Sequence, residues 1–161
     1  FGGSIEVACI NASRMLTLSG DACSIRCLSK ELEEQDIFHR YLPVNVPFHS
    51  RYMEPLKEKL EQKLRCLVPG TSKVPFYSTV TGDAVSGRYL DSKYWYRNVR
   101  QPVEFFEASK QLVKDGFTQF LEIGPHPALQ RGLQDALEMA KPDAKPGFAL
   151  YTLRRDQSHE K

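Results

Sequence analysis

Histidine and cysteine are the side chains best suited to chemistry near neutral pH, and this chain holds four of each. His49 has the most suggestive setting. It follows Val46-Pro47-Phe48 at the end of a predicted strand and precedes Ser50, an N-cap-like residue that opens a helical pattern. Loops at strand ends are where α/β proteins place reactive groups, because the sheet fixes the loop and leaves the side chain exposed. An imidazole in such a loop can serve as a general base. The plainer alternative is a packed or capping histidine. His126 lies between Pro125 and Pro127 in a stiff turn, His39 alternates with apolar neighbours, and His159 belongs to a charged tail.

A base calls for a nucleophile, and the residues supply none. The strand-turn-helix elbow G-x-S-x-G, whose small residues let a serine stand at a strained turn, is absent. Its nearest imitation, Gly70-Thr71-Ser72-Lys73-Val74, lacks both the closing glycine and a preceding strand. Cys9, Cys23, Cys27 and Cys66 form no C-x-x-C pair and have no matching histidine cluster, so they specify neither a metal site nor a disulfide framework. They read as free buried thiols, none in the electropositive exposed setting that activates a cysteine. There is no phosphate loop and no dinucleotide fingerprint.

The elements that must position His49 are set by periodicity. Residues 5–10 and 15–19 read as two strands around a polar turn, and Asp21 is a plausible N-cap for a helix with Ile25, Leu28 and Leu32 on one face. Residues 38–46 read as a third strand. From 51 to 66, Met53, Leu56, Leu60, Leu64 and Leu67 recur at steps of three and four, the pattern of an amphipathic helix. A strand is expected over 74–80, helices over 91–99 and 102–114, a strand over 120–123, a helix over 128–139, a Pro-containing linker over 141–147 and a last strand over 148–153 before the tail. Strands alternating with helices in the second half predict an α/β fold.

Composition fits a globular core: 41% of the 161 residues are hydrophobic and 26% charged. Lys plus Arg number 22 against 20 for Asp plus Glu, and a net charge of +2 spread along the chain predicts no binding to nucleic acid or to an anionic membrane. No apolar run approaches the roughly 18 residues that span a bilayer, and the first residues lack the order of a signal peptide, so a cytoplasmic location is expected. The length suggests one domain. The immediate entry from Phe1 into a strand suggests a piece of something longer.

Six strings carry a resemblance: Val7-Ala8-Cys9-Ile10-Asn11-Ala12-Ser13, Thr17-Leu18-Ser19-Gly20-Asp21, Val46-Pro47-Phe48-His49-Ser50, Pro75-Phe76-Tyr77-Ser78-Thr79-Val80-Thr81-Gly82, Tyr94-Trp95-Tyr96-Arg97-Asn98-Val99-Arg100-Gln101-Pro102-Val103 and Phe120-Leu121-Glu122-Ile123-Gly124-Pro125-His126-Pro127. In this order they resemble the malonyl-CoA:acyl carrier protein transacylase family, and in detail the acyltransferase domain of a type I polyketide synthase or animal-type fatty acid synthase. The resemblance covers only the later part of such a domain. It implies that residues 1–43 belong to a ferredoxin-like small subdomain, 44–140 to the C-terminal part of an α/β-hydrolase-like large subdomain, and 141–161 to the start of the post-acyltransferase linker.

The family works by ping-pong transfer: a serine attacks the thioester of malonyl-CoA, a histidine takes its proton, and the acyl group passes to the phosphopantetheine thiol of an acyl carrier protein. The resemblance makes His49 the base and Asn98 the residue whose backbone carbonyl orients it. It places Asn11 on the active-site wall. Phe48 and Val46 report extender choice; Phe directly before the histidine goes with malonyl, while Val46 stands where two bacterial patterns have His or Tyr. The nucleophilic serine and the arginine that pairs with the extender carboxylate lie upstream in the family and are missing here, so this segment alone is expected to be inactive. The expected partners are acyl carrier protein, malonyl-CoA and the neighbouring ketosynthase and linker domains, with no metal and no cofactor bound by the segment. A non-catalytic docking or scaffold fragment is the alternative.

Overall fold

The computed structural model describes residues 2–139 and 147–155. Strands β1 (Ile5–Ala12) and β2 (Met15–Gly20) form an antiparallel hairpin paired from Ile5 with Gly20 to Ala12 with Met15. Its tip is fastened from outside. Ser13 donates its hydroxyl and its backbone N–H to Asp135 Oδ2 at 2.5 and 3.2 Å, and Arg131 Nε approaches the other oxygen at 2.8 Å. The Ser13 hydroxyl, followed by the arginine, holds the buried Asp135 carboxyl below the usual carboxylate range. The hairpin leads into α1 (Ala22–Glu34), capped as expected by Asp21, whose carboxylate accepts the Ser24 N–H at 2.8 Å.

The expected strand over 38–46 is not formed. A strand exists only by pairing with another, and no partner runs beside this stretch among the described residues. Its apolar side chains face outward, with Phe38 92% exposed and Tyr41, Leu42, Val44 and Val46 also exposed. The helix expected over 51–66 is divided. Residues Arg51–Leu56 form a 3₁₀ helix containing Pro55, which has no N–H to give, and α2 (Lys57–Lys63) starts only beyond it. Met53 is buried, whereas Leu56 and Leu67 remain exposed.

The strand over 74–80 shrinks to β3 (Tyr77–Ser78), paired with β4 (Asp83–Ala84). Helix α3 (Ser92–Arg100) is capped by the Asp91 side chain, and α4 (Phe105–Lys114) begins three residues after Pro102. The delay has a specific cause: Val103 is claimed by β1, donating to the Ala8 carbonyl and accepting from the Ile10 N–H, both at 2.9 Å. Strand β5 (Gln119–Glu122) lies parallel to β6 (Phe148–Tyr151), with α5 (Gln130–Glu138) between them in sequence. The Glu122 carboxylate accepts the Ala128 and Leu129 N–H groups at the start of α5, at 2.9 and 3.2 Å. Residues 140–146, most of the expected linker, and 156–161, most of the tail, lie outside the described residues.

The core gathers Ala8 and Ala12 of β1, Phe106 and Ala108 of α4, and Leu133 and Ala136 of α5. Helix α5 can come this close because of Gly132, where a Cβ would collide with the Asn11 carbonyl oxygen. The fold is thus α/β, and its contacts cross both expected divisions. β1 is hydrogen-bonded to Val103 across residue 43, and β6 is paired with β5 across residue 140.

Candidate active site

The chain between the unpaired stretch and the 3₁₀ helix turns tightly around His49. The Phe48 N–H donates to the Val46 carbonyl at 2.9 Å, and the Ser50 hydroxyl, nearly fully buried, donates to the Pro47 carbonyl at 2.6 Å. Ser50 also opens the 3₁₀ helix, its carbonyl accepting the Met53 N–H at 2.9 Å. His49 itself has φ of 60°, in the left-handed region that only glycine enters without cost. Such a conformation persists where the surroundings over-determine it, and it is frequent at functional sites.

Two hydrogen bonds to one neighbouring segment do the determining. The His49 backbone N–H donates to the Val99 carbonyl at 3.0 Å, and Nδ1 lies 2.9 Å from the carbonyl oxygen of Gln101. A carbonyl only accepts, so Nδ1 carries the hydrogen, and in the neutral ring the lone pair is left on Nε2. The ring is thereby fixed in one tautomer with a proton acceptor on its free side.

The orienting carbonyl therefore comes from Gln101 and not from Asn98. Asn98 is inside α3, on a groove shared with Leu60, Leu64, Trp95 and Val99. Gln101 is the first residue to leave the helix, with ψ of 158°, and its carbonyl is turned aside toward the imidazole. The signal is present in the sequence: a residue that precedes proline is driven to extended backbone, and Pro102 comes next.

The structure brings Val46 and Phe48 together with His49. The Phe48 ring centre is 6.4 Å from that of the imidazole at a 49° tilt, and both Val46 and Phe48 are close to half exposed. Asn11 is held elsewhere. Its carboxamide accepts from the Cys9 thiol at 2.7 Å and donates to Thr17 Oγ1 at 3.4 Å, and no hydrogen bond joins it to His49 among the described residues.

A cluster that sequence reasoning missed lies next to Gln101. The Arg100 guanidinium donates to Glu6 Oε2 at 2.9 Å and, through Nε and a terminal nitrogen, to Glu54 Oε1 at 3.1 and 3.0 Å. Of the basic residues near the motifs, Arg100 is engaged in this way and Arg131 with Asp135. Arg51 and Arg97 lie over the rings of Tyr52 and Tyr94, while Lys93 is exposed.

The thiols are not buried as expected. Cys23 and Cys27, on a helix whose one buried residue is Ser29, are exposed, as is Cys66; Cys9 is half-buried. Burial, then the charge of Glu104, pushes the Cys9 thiol up to about 11, which leaves it protonated and unreactive at neutral pH. Iodoacetamide is expected to modify Cys23, Cys27 and Cys66 well before Cys9 when followed by peptide mass mapping. Equal rates at all four would contradict the protection of Cys9.

Among the described residues no group of three or more His, Cys, Asp or Glu could hold a metal ion, and no helix is long and apolar enough to cross a membrane. Fold and site together define an α/β protein that presents a tautomer-fixed histidine on a tight turn. The chain belongs to the acyl transferase domain family, whose model matches residues 3–161. It is 40% identical over 152 residues to polyketide synthase GfsA of Streptomyces halstedii, covering 94% of this chain and 2% of that protein. It is 34% identical over 158 residues to erythronolide synthase EryA3 of Saccharopolyspora erythraea, covering 98% of this chain and 5% of that one. The crystal structure of the acyltransferase domain from module 8 of the salinomycin polyketide synthase superposes with a TM-score of 0.89 at 33% identity, covering 97% of this chain and 36% of that one. The chain thus spans a few per cent of these synthases and about a third of the solved domain.

Proposed function

We propose that this chain is the histidine-bearing part of an acyltransferase domain that moves a malonyl-type unit from CoA to the phosphopantetheine thiol of an acyl carrier protein, in polyketide or fatty acid synthesis. One observation carries the reading: Nδ1–H is spent on the Gln101 carbonyl, so Nε2 is a free proton acceptor at the rim of a strained turn.

In this mechanism a serine outside the present sequence attacks the thioester carbonyl while Nε2 takes its proton. The tetrahedral adduct collapses, the CoA sulfur leaves with that proton, and the acyl group stays on the serine as an ester. The carrier thiol then gives its proton to Nε2 and attacks the ester, and the imidazolium returns the proton to the serine oxygen. A neutral carbonyl behind the imidazole fixes its tautomer but stabilises the imidazolium less than a carboxylate would. Phe48, beside the base, favours an unbranched malonyl unit. The substrate and the carrier's prosthetic arm bring all the chemistry beyond the serine and histidine, and a neighbouring ketosynthase is the partner implied for the loaded carrier.

The test uses radiolabelled malonyl-CoA with the complete acyltransferase domain and its carrier protein. Label is expected first on the domain, as an ester, and then on the carrier, while the 161-residue chain alone acquires none. Covalent label on the isolated chain, or no transfer by the complete domain, would sink the proposal.

A further inference from the structure

We propose that Arg100 is a positioning residue for His49, acting through Glu6 and Glu54 to hold the Gln101 carbonyl in line with Nδ1. The inference rests on the reading of His49 as the general base and adds to it the residues that keep the base in its working tautomer.

Imidazole and carbonyl come from different elements. His49 belongs to the turn that opens the 3₁₀ helix Arg51–Leu56, and Gln101 to the end of α3. A 2.9 Å hydrogen bond between them survives only if those two ends keep a fixed separation. Arg100, the residue before Gln101, ties them directly, since two of its nitrogens share Glu54 Oε1 on the 3₁₀ helix. It also ties both to the hairpin. Glu6 of β1 accepts from Arg100 on one carboxylate oxygen and, on the other, from the backbone N–H of Arg51 at 2.7 Å, two residues after His49.

One guanidinium and one carboxylate thus brace the exit of α3 and the exit of the histidine turn against the same strand. The arrangement differs from a simple surface ion pair, whose long side chains gain little. The Arg100 and Glu6 side chains are only 23% and 28% exposed, and three elements meet at the arginine. A planar fork can serve two carboxylates at once; an ammonium group cannot do so with fixed geometry.

The functional consequence comes from the tautomer. If the Gln101 carbonyl drifts, nothing obliges the hydrogen to stay on Nδ1. An imidazole with its hydrogen on Nε2 cannot accept a proton from serine. Misplacement by about 1 Å at such a distance from the chemistry can cost up to about 100-fold in rate. The loss should fall on kcat, because the substrate makes no contact with Arg100 in this scheme.

The experiment compares Arg100→Gln with the unaltered complete acyltransferase domain. It reads the imidazole nitrogen shifts of His49 by NMR, and kcat and KM for malonyl transfer. The unaltered domain is expected to show one neutral tautomer with the hydrogen on Nδ1. Arg100→Gln is expected to show a mixture, with kcat lower by about 10- to 100-fold and KM changed by less than about threefold. Arg100→Lys keeps the charge and loses the fork, so it should recover little; full recovery would mean charge alone matters and would overturn the proposal.

If Arg100→Gln fails to fold, Glu54→Ala removes the more exposed partner and should shift the tautomer in the same direction, and an unchanged tautomer and kcat there would also overturn it. His49→Ala separates the two readings. Undiminished transfer in that variant refutes His49 as base, while the tautomer measurement still decides what Arg100 does.

Discussion

Replacing His49 by Asn in the complete acyltransferase domain is expected to lower acyl transfer by about 10²- to 10⁴-fold, the usual worth of a positioned general base. Asn is the informative substitution because it tolerates left-handed backbone, so the turn at φ of 60° can persist and its N–H can still reach the Val99 carbonyl. Ala at the same position would add backbone strain to the loss of the base. With the turn kept, the missing group is Nε2. In the proposed mechanism both half-reactions need it, the first to deprotonate the serine and the second to deprotonate the carrier thiol. Loading and unloading of the acyl-enzyme should therefore slow together, while KM for malonyl-CoA changes little, because proton transfer stabilises the transition state and not the bound substrate. Single-turnover loading with labelled malonyl-CoA measures the first step, and chase with carrier protein the second. A loss smaller than about tenfold in both would remove His49 from the base role.

The features legible in the chain divide from the rest along a physical line between local and non-local causes. The Asp21 cap, the capping role of Ser50 and a helix beginning close to Asp91 are decided by neighbours within a few residues, and each is legible. The stretch over 38–46 carries the alternation of a strand but forms none, because pairing is a property of two segments and no second one is present beside it among the described residues. The helix expected from Pro102 begins at Phe105 because β1, more than ninety residues earlier, takes the backbone groups of Val103.

The site shows the same division. His49 is visible from its motif. The resemblance assigns the carbonyl behind it three residues early, although Pro102 marks Gln101 as the place where the helix must already have ended. Arg100 is visible in the sequence only as one basic residue among several. Its partners lie 94 and 46 residues away, a separation over which no periodicity or spacing rule operates.

The residue before His49 carries the other large expected effect. Phe48→Ser is expected to cut the preference for malonyl over methylmalonyl, as a ratio of kcat/KM values, by at least about tenfold, within the 10- to 200-fold range that one methyl group in a pocket commands. The argument is steric and local. The ring centre stands 6.4 Å from that of the imidazole, and in the proposed mechanism it would compete for space with an α-methyl branch beside the reacting carbonyl. Serine there removes the ring and leaves the backbone turn, since the residue 48 N–H still reaches the Val46 carbonyl. Stability should be little affected, because the ring is 45% exposed and lies outside the packed core. The change should therefore appear as faster methylmalonyl loading with malonyl loading largely kept, not as a general loss. Val46→Ala, two residues further along the chain from His49 than Phe48, should move the ratio in the same direction by less. Competition between the two labelled CoA esters measures both ratios directly. Methylmalonyl loaded at least as fast as malonyl by the unaltered domain, or an unchanged ratio in Phe48→Ser, would show that this ring does not read the branch.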